Sequence, residues 1–190
     1  MFLCAALKTE RGECMNETLK VLESRRSCRK FVAGKMPSEE DLNAIIRAGR
    51  FAPSGMGKQP VKIIAVTNKE LRDKISAENA KVMGQPAGFD PFYGAPVILI
   101  VVADRASPTY LYDGSLVMGN LMNAAESLGI ANIWIHRAKE EFDSDFGKKI
   151  LQDVGITGDF EGIGHVALGY AEDGAVKAAA ERKENVYWVK

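Results

Sequence analysis

Apolar residues along the chain recur with helical spacing in some stretches and run continuously in others, and the switches between the two mark out the elements. Residues 16 to 24 predict a short helix, with Asn16 as N-cap and Leu19 and Leu22 on one face. Pro37-Ser38-Glu39-Glu40-Asp41 is a second helix start: Ser38 caps, acids fill the first turn, and Asp41 takes the N3 position of a capping box. Leu42, Ile45, Ile46 and then Ala48 or Gly49 carry that helix to about Phe51. The Pro53 to Pro60 loop ends it. Val61 to Thr67 is a β-branched strand and Asn68 to Asn79 a helix. Lys81 to Gly94 is rich in Gly and Pro, holds Phe89, Phe92 and Tyr93, and predicts a mobile loop lying over something.

Ala95 to Ala103 is apolar throughout, as a strand covered on both faces should be. Tyr110 to Leu128 is a long helix, with Leu111, Met118, Leu121, Met122, Ala125 and Leu128 at helical spacing. Its Gly114, Ser115 and Gly119 form a small-residue patch. Close packing within the chain and packing against a second copy explain that patch about equally well. Gly129 breaks the helix before a strand from Ile130 to Ile135. Lys139 to Asp153 predicts one exposed, charged helix, and Gly162 to Tyr170 a last strand. The polar tail from Ala171 ends in Asn185-Val186-Tyr187-Trp188-Val189, suited to an edge strand on another subunit. No repeat, linker or low-complexity block divides the chain, so residues 16–190 predict one α+β domain.

Charge narrows the possibilities. The 190 residues carry 25 basic and 25 acidic side chains. Zero net charge argues against bulk electrostatic binding of nucleic acid. No apolar run approaches the ~20 residues of a membrane span. Three cysteines, Cys4, Cys14 and Cys28, form no C-x-x-C pair, which points to a reducing cytoplasm without a disulfide framework. Two distant histidines, His136 and His165, give no metal-site spacing. The start, Met1 to Lys8, lacks the basic region and length of a signal peptide. Met15 is a plausible translation start, which would leave residues 1–15 outside the native protein.

Against that neutral background, Arg25-Arg26-Ser27-Cys28-Arg29-Lys30-Phe31 is a local concentration of cations. Arg presents a planar fork of donors suited to phosphate oxygens, and Ser adds a neutral donor. Ala52-Pro53-Ser54-Gly55-Met56-Gly57-Lys58-Gln59-Pro60 is a loop of small residues and amide donors placed before a strand. Such a loop lets backbone N–H groups approach a flat or anionic ligand. Together the two suggest a phosphorylated planar cofactor. Taken singly, each has a plainer explanation. A charge run is usually a solvated face. Ser54 suits a turn, Gln59 a strand cap, His136 a surface position and Arg182 a surface charge. His165 in an apolar strand is structural, and Cys28 turns into the core.

The ordered set of motifs resembles the FMN-dependent nitroreductase family from Met15 to Lys190. It comprises Arg-Arg-Ser-x-Arg-Lys-Phe at 25–31, Ala-Pro-Ser-Gly-x-x-x-Gln-Pro at 52–60, Ala95-Pro96-Val97, Gly119-Asn120-Leu121-Met122, Leu128-Gly129-Ile130, Gly169-Tyr170 and Arg182-Lys183-Glu184-Asn185. The resemblance implies a sandwich with a central, mostly antiparallel sheet flanked by helices. It also implies an intertwined homodimer with two FMN sites and a C-terminal strand reaching the partner.

By position, Arg25 and Ser27 would contact the FMN phosphate and ribityl chain, with Arg26 beside them. Arg29 would polarise the N1/O2 edge of the ring. Pro53, Ser54, Gly55 and Gln59 would come from the other subunit, Trp134, Ile135, His136 and Arg137 would run past N5, and Arg182 would clamp the phosphate. The sequence departs from the family at Gly57 and Val61, which remove a polar contact and an aromatic wall. His136-Arg137 stands in place of the acidic-Gly pair of well-known members and favours an anionic substrate.

The resulting expectation is a cytoplasmic FMN oxidoreductase. It takes hydride from NAD(P)H and passes electrons to a nitroaromatic, quinone or enone, and the flavin, with no acid–base dyad, carries the chemistry. A specialised flavin enzyme of the same fold (dehalogenase, azoline dehydrogenase or flavin-cleaving) and a flavin-binding storage or sensor protein without turnover are the alternatives.

Overall fold

The computed structural model describes residues 16–190. The proposed start at Met15, with Cys4 and Cys14, lies outside the described residues. Four strands form one sheet in the order β1-β2-β4-β3, where β1 is Val61–Val66, β2 Val97–Asp104, β3 Ala131–Ile135 and β4 Phe160–Gly169. Every neighbouring pair is antiparallel. The helices are α1 (Glu17–Ser24), α2 (Glu39–Arg50), α3 (Lys69–Val82), α4 (Tyr110–Ser127), α5 (Ala138–Asp143) and α6 (Asp145–Asp153). None is long and apolar enough to cross a membrane.

β2 explains why the molecule has two apolar layers. Its side chains alternate between faces, as pleating requires. Ile98, Ile100 and Val102 join Ile75, Phe142, Ile150 and Leu151 on one side, under α3, α5 and α6. Val97, Leu99, Val101 and Ala103 join Leu42, Ile45, Met118 and Leu121 on the other, under α2 and α4. All eight strand residues except Asp104 are buried, which is why this segment reads as continuously apolar.

The caps follow the sequence. The Asn16 side chain accepts from Leu19 N at 2.9 Å and Ser38 from Asp41 N at 3.0 Å. Three expectations change. The charged segment from Lys139 to Asp153 is two helices, not one, because Ser144 ends α5 and caps α6 through Gly147 N. It is not wholly exposed either: Glu141 is buried against His165. The segment from Lys81 to Gly94 begins inside α3, and its second half is pinned rather than loose. Asp90 accepts from Arg72, from Ser76 and from the N–H groups of Phe92 and Gly94, and Phe92 is fully buried. Burial alone would raise Asp90, but the hydrogen bonds from Arg72, Ser76 and Gly94 hold its carboxyl below the usual aspartate range.

The small-residue patch of α4 divides. Gly114 packs on Ile163 of the sheet, whereas Ser115 is exposed and Gly119 faces open space. Residues 172–190 carry no helix or strand, and Tyr187, Trp188 and Val189 are almost fully exposed. A strand at Asn185–Val189 would need a partner backbone, and among the described residues none is paired with it.

Candidate functional site

The basic run is extended and wedged between two backbones. Cys28 N donates to Asn132 O of β3 at 3.0 Å, while Val32 N donates to Tyr170 O and Glu172 N to Lys30 O on the other side. Cys28 and Phe31 point into the core. That leaves Ser27, Arg29 and Lys30 turned outward. Fully buried Asn132 fixes the start of the run: its carboxamide donates to Met122 O and Ile130 O, and its Oδ1 lies 3.5 Å from Arg25 Nη1.

Beyond β4 the chain returns past this run. Residues 172–182 close a cavity of about 820 Å³ with it, bringing Arg182 to the same walls as Arg26, Ser27 and Arg29. Five cations line the cavity, namely Arg26, Arg29, Lys30, Lys177 and Arg182, against two carboxylates, Glu172 and Asp173. Arg26 donates from Nη1 to Arg25 O at 2.7 Å, but its buried Nε has no partner. An orphaned guanidinium donor beside a hydroxyl and several cations fits a phosphate. Arg25 turns toward Asn132 and does not line the cavity.

The second loop builds a separate cavity of about 500 Å³, whose walls include Pro53, Ser54, Gln59, Arg47, Arg50, Phe51 and Asp113. It shares no residue with the first cavity. Asp113, buried in the first turn of α4, holds the loop. Its Oδ1 accepts from Gly55 N at 2.9 Å and its Oδ2 from Thr109 Oγ1 at 2.8 Å. Gly55 has to be glycine, since a Cβ there would collide with the Thr109 side chain. Ser54 Oγ accepts from Gln59 N at 3.0 Å, so Ser54 does serve as a turn residue. Gln59 sits at φ 50°, in the left-handed region.

Trp134, Ile135, His136 and Arg137 line neither cavity. Trp134 and Ile135 end β3, which is an edge strand, and His136 and Arg137 turn from it into α5. Gly162 of β4 lets the backbone at Ala138 approach, so α5 sits directly on the sheet. Sequence reasoning missed the anchors Asn132, Asp113 and Asn79, and the cavity residues Arg47, Arg50 and Lys177. Asn132 had a signal, a carboxamide inside an apolar strand. Asp113, in a helix's first turn, looks like an ordinary acidic residue there. Asn79 has no signal in the sequence.

Residues 22–170 match the profile of the Nitroreductase family. The chain belongs to that family. A protein of Archaeoglobus fulgidus, named by inference an NADH dehydrogenase/NAD(P)H nitroreductase, is 30% identical over 164 residues, covering 84% of this chain and 88% of its own. Two solved structures superpose with a TM-score of 0.81. One is a nitroreductase with bound FMN from Bacteroides fragilis, at 30% identity over 92% of this chain and 99% of its own. The other, a nitroreductase with bound FMN from Desulfitobacterium hafniense, is 32% identical over 92% of this chain and all of its own. The antiparallel sheet between helical layers is therefore the family's fold.

Proposed function

We propose that the protein is a homodimeric, FMN-dependent NAD(P)H oxidoreductase that reduces electron-poor acceptors such as nitroaromatics, quinones or enones, with residues 16–190 as its working domain. The observation that carries this is the cation-lined cavity. It joins Arg182 from the C-terminal arm to the Arg26–Ser27–Arg29 run, two segments more than 150 positions apart in the chain. The FMN bound by the two similar structures has one terminal phosphate, and this donor set suits it.

Bound FMN supplies reversible hydride acceptance. The protein's part is binding and polarisation. Arg26, Ser27 and Arg182 hold the phosphate end, while Arg25, turned to Asn132, braces the run from behind. Arg29 brings a positive charge to the polar edge of the ring, where it favours the electron-rich form. The edge of β3 up to His136 and Arg137 runs alongside the ring. Pro53, Ser54, Gly55 and Gln59, in a cavity apart from the cations, reach it from the partner subunit.

Exposed apolar surface supports the dimer. α1 buries none of its residues, and Leu19, Leu22, Leu111, Tyr112 and Leu116 lie open on α1 and α4. Apolar area of this kind marks an interface. The C-terminal aromatic and β-branched residues suit a strand added to the partner.

An anaerobic absorbance spectrum tests the reading. The purified protein should carry a flavin band that bleaches with NADH or NADPH and returns on adding a quinone or nitroaromatic. Arg26→Ala and Arg182→Ala should each lower FMN affinity about tenfold or more, the loss of a charge-assisted contact, with the melting temperature unchanged. Unchanged flavin content in both variants would overturn the site assignment.

A further inference from the structure

The turn that closes β3 is held in a conformation its own residues disfavour. Arg137 has φ 74°, in the left-handed region. That conformation is unfavourable for a residue with a side chain and free to glycine. Asn79, fully buried near the end of α3, spends both ends of its carboxamide on this turn. Its Nδ2 donates to His136 O at 3.1 Å, and its Oδ1 accepts from Arg137 Nε at 3.1 Å. The far side is fixed as well. His165 is paired with Ile135 in the β3–β4 ladder, and its Nε2 lies 2.8 Å from Glu141 of α5, both groups buried. The turn is therefore clamped from α3 and from β4.

A guanidinium held through Nε is aimed, with its two terminal nitrogens free. Among the described residues Arg137 makes no ion pair and no other side-chain hydrogen bond. Of the neighbouring acids, Glu78 pairs with Lys81 and Glu141 is buried facing His165 at 2.8 Å. Arg137 remains half-exposed, beside exposed His136. Arg137 lines neither cavity, whereas Arg26, Ser27, Arg29 and Arg182 line the cationic one, so Arg137 is not one of the cations assigned to the phosphate.

We propose that Arg137 is a specificity residue that recognises the carboxylate of an anionic, electron-poor acceptor, and that Asn79 is a positioning residue that aims it. The proposal rests on the flavin reading above. A fixed, planar fork matches a carboxylate with two parallel hydrogen bonds and loses less side-chain freedom than an unheld cation. The two bonds to Asn79 hold the strained turn, and with it the fork, in place.

The test uses the oxidised, FMN-loaded protein. Its flavin spectrum is recorded first, then 4-nitrobenzoate and its neutral counterpart 4-nitrobenzamide are titrated while the flavin absorbance is followed. The wild-type protein should bind the benzoate about tenfold more tightly than the benzamide. Arg137→Gln should bring the two within about twofold by weakening only the benzoate. Arg137→Lys should restore part of the preference, since it returns the charge without the fork. Asn79→Ser, checked by melting curve, should fall between wild type and Arg137→Gln. Equal affinities in the wild type, or a preference that survives Arg137→Gln, would overturn the proposal. So would an Arg137→Gln variant that binds nitrobenzoate normally but shows a raised KM for NADPH, because the anion would then be a cofactor phosphate. Failure of the flavin reading is seen separately, as the absence of a flavin band before any titration, and it removes this proposal with it.

Discussion

The two halves of the site are built to different degrees of completion. The Pro53–Gln59 half is finished within one chain. A buried carboxylate, Asp113, takes Gly55 N and Thr109 Oγ1 at 2.9 and 2.8 Å, and Ser54 accepts from Gln59 N to close the turn. The cationic half is anchored more loosely. The Asn132 side chain reaches its partners at 3.2 to 3.5 Å, and the stretch carrying Arg182 has no ladder or helix to hold it. A flat ring needs a wall fixed beforehand, because it offers few polar handles of its own. A phosphate offers several charge-assisted bonds and can order the arm that meets it. On the proposed function, the difference means that the loop would set shape while the arm would supply affinity.

Breaking the Asp113 anchor should have the largest effect. Asp113→Ala leaves Gly55 N and Thr109 Oγ1 without their acceptor and should cost about 3 kcal/mol of stability. FMN retention should fall with it, because the wall is lost. Urea melts and flavin content of the same preparations measure both. A variant of wild-type stability would mean that the loop is held by something other than Asp113. Asn132→Ala should cost about 2 kcal/mol, since it leaves the carbonyls of Met122 and Ile130 short of a donor. Its larger consequence should be on flavin, for the basic run loses its seat while the loop half stays intact. Should Asn132→Ala bind flavin normally, the run would be seated by its backbone bonds to residues 132, 170 and 172 alone.

Much of this was legible in the sequence, for identifiable reasons. Periodicity found the strands and most helices, because β2 is buried on both faces and α2 is strongly amphipathic. Cap chemistry placed the starts of α1 and α2, since Asn16 and Ser38 act on residues three positions away. The break at Ser144 escaped because a serine within a charged run costs a helix little and reads as one more polar position. The cation run and the small-residue loop were visible as compositions. What their anchors hold was not, because Asp113 and Asn132 act on residues 58 and 107 positions away, even though Asn132 stands out as a carboxamide in an apolar strand. Local pattern carries no information about such contacts. Asn79 is the extreme case: only the fold brings it to His136 and Arg137, 57 and 58 positions on.

A third anchored loop sharpens the contrast because it borders neither cavity. Asp90 ties residues 90–94 to α3 through Arg72 at 2.5 Å and Ser76 at 2.7 Å. The pH dependence follows from its lowered native pKa. A carboxyl depressed on folding contributes stability that is complete above its unfolded value, about 3.9, and drains away as pH falls through the lower native value. Asp90→Asn should therefore cost about 1 kcal/mol at neutral pH, where a charge-assisted pairing with Arg72 is replaced by a neutral one. The gap from wild type should close below about pH 4, in thermal or urea melts taken from pH 7 downward. Flavin content should stay at the wild-type level, because Asp90 anchors a segment outside both halves of the site. A gap that persists unchanged into strong acid would mean that Asp90 stabilises the loop by shape and not by charge. Lost flavin would mean that the 90–94 segment, through Phe92 packed edge-on against His165 at 5.3 Å, reaches the turn at Arg137 after all.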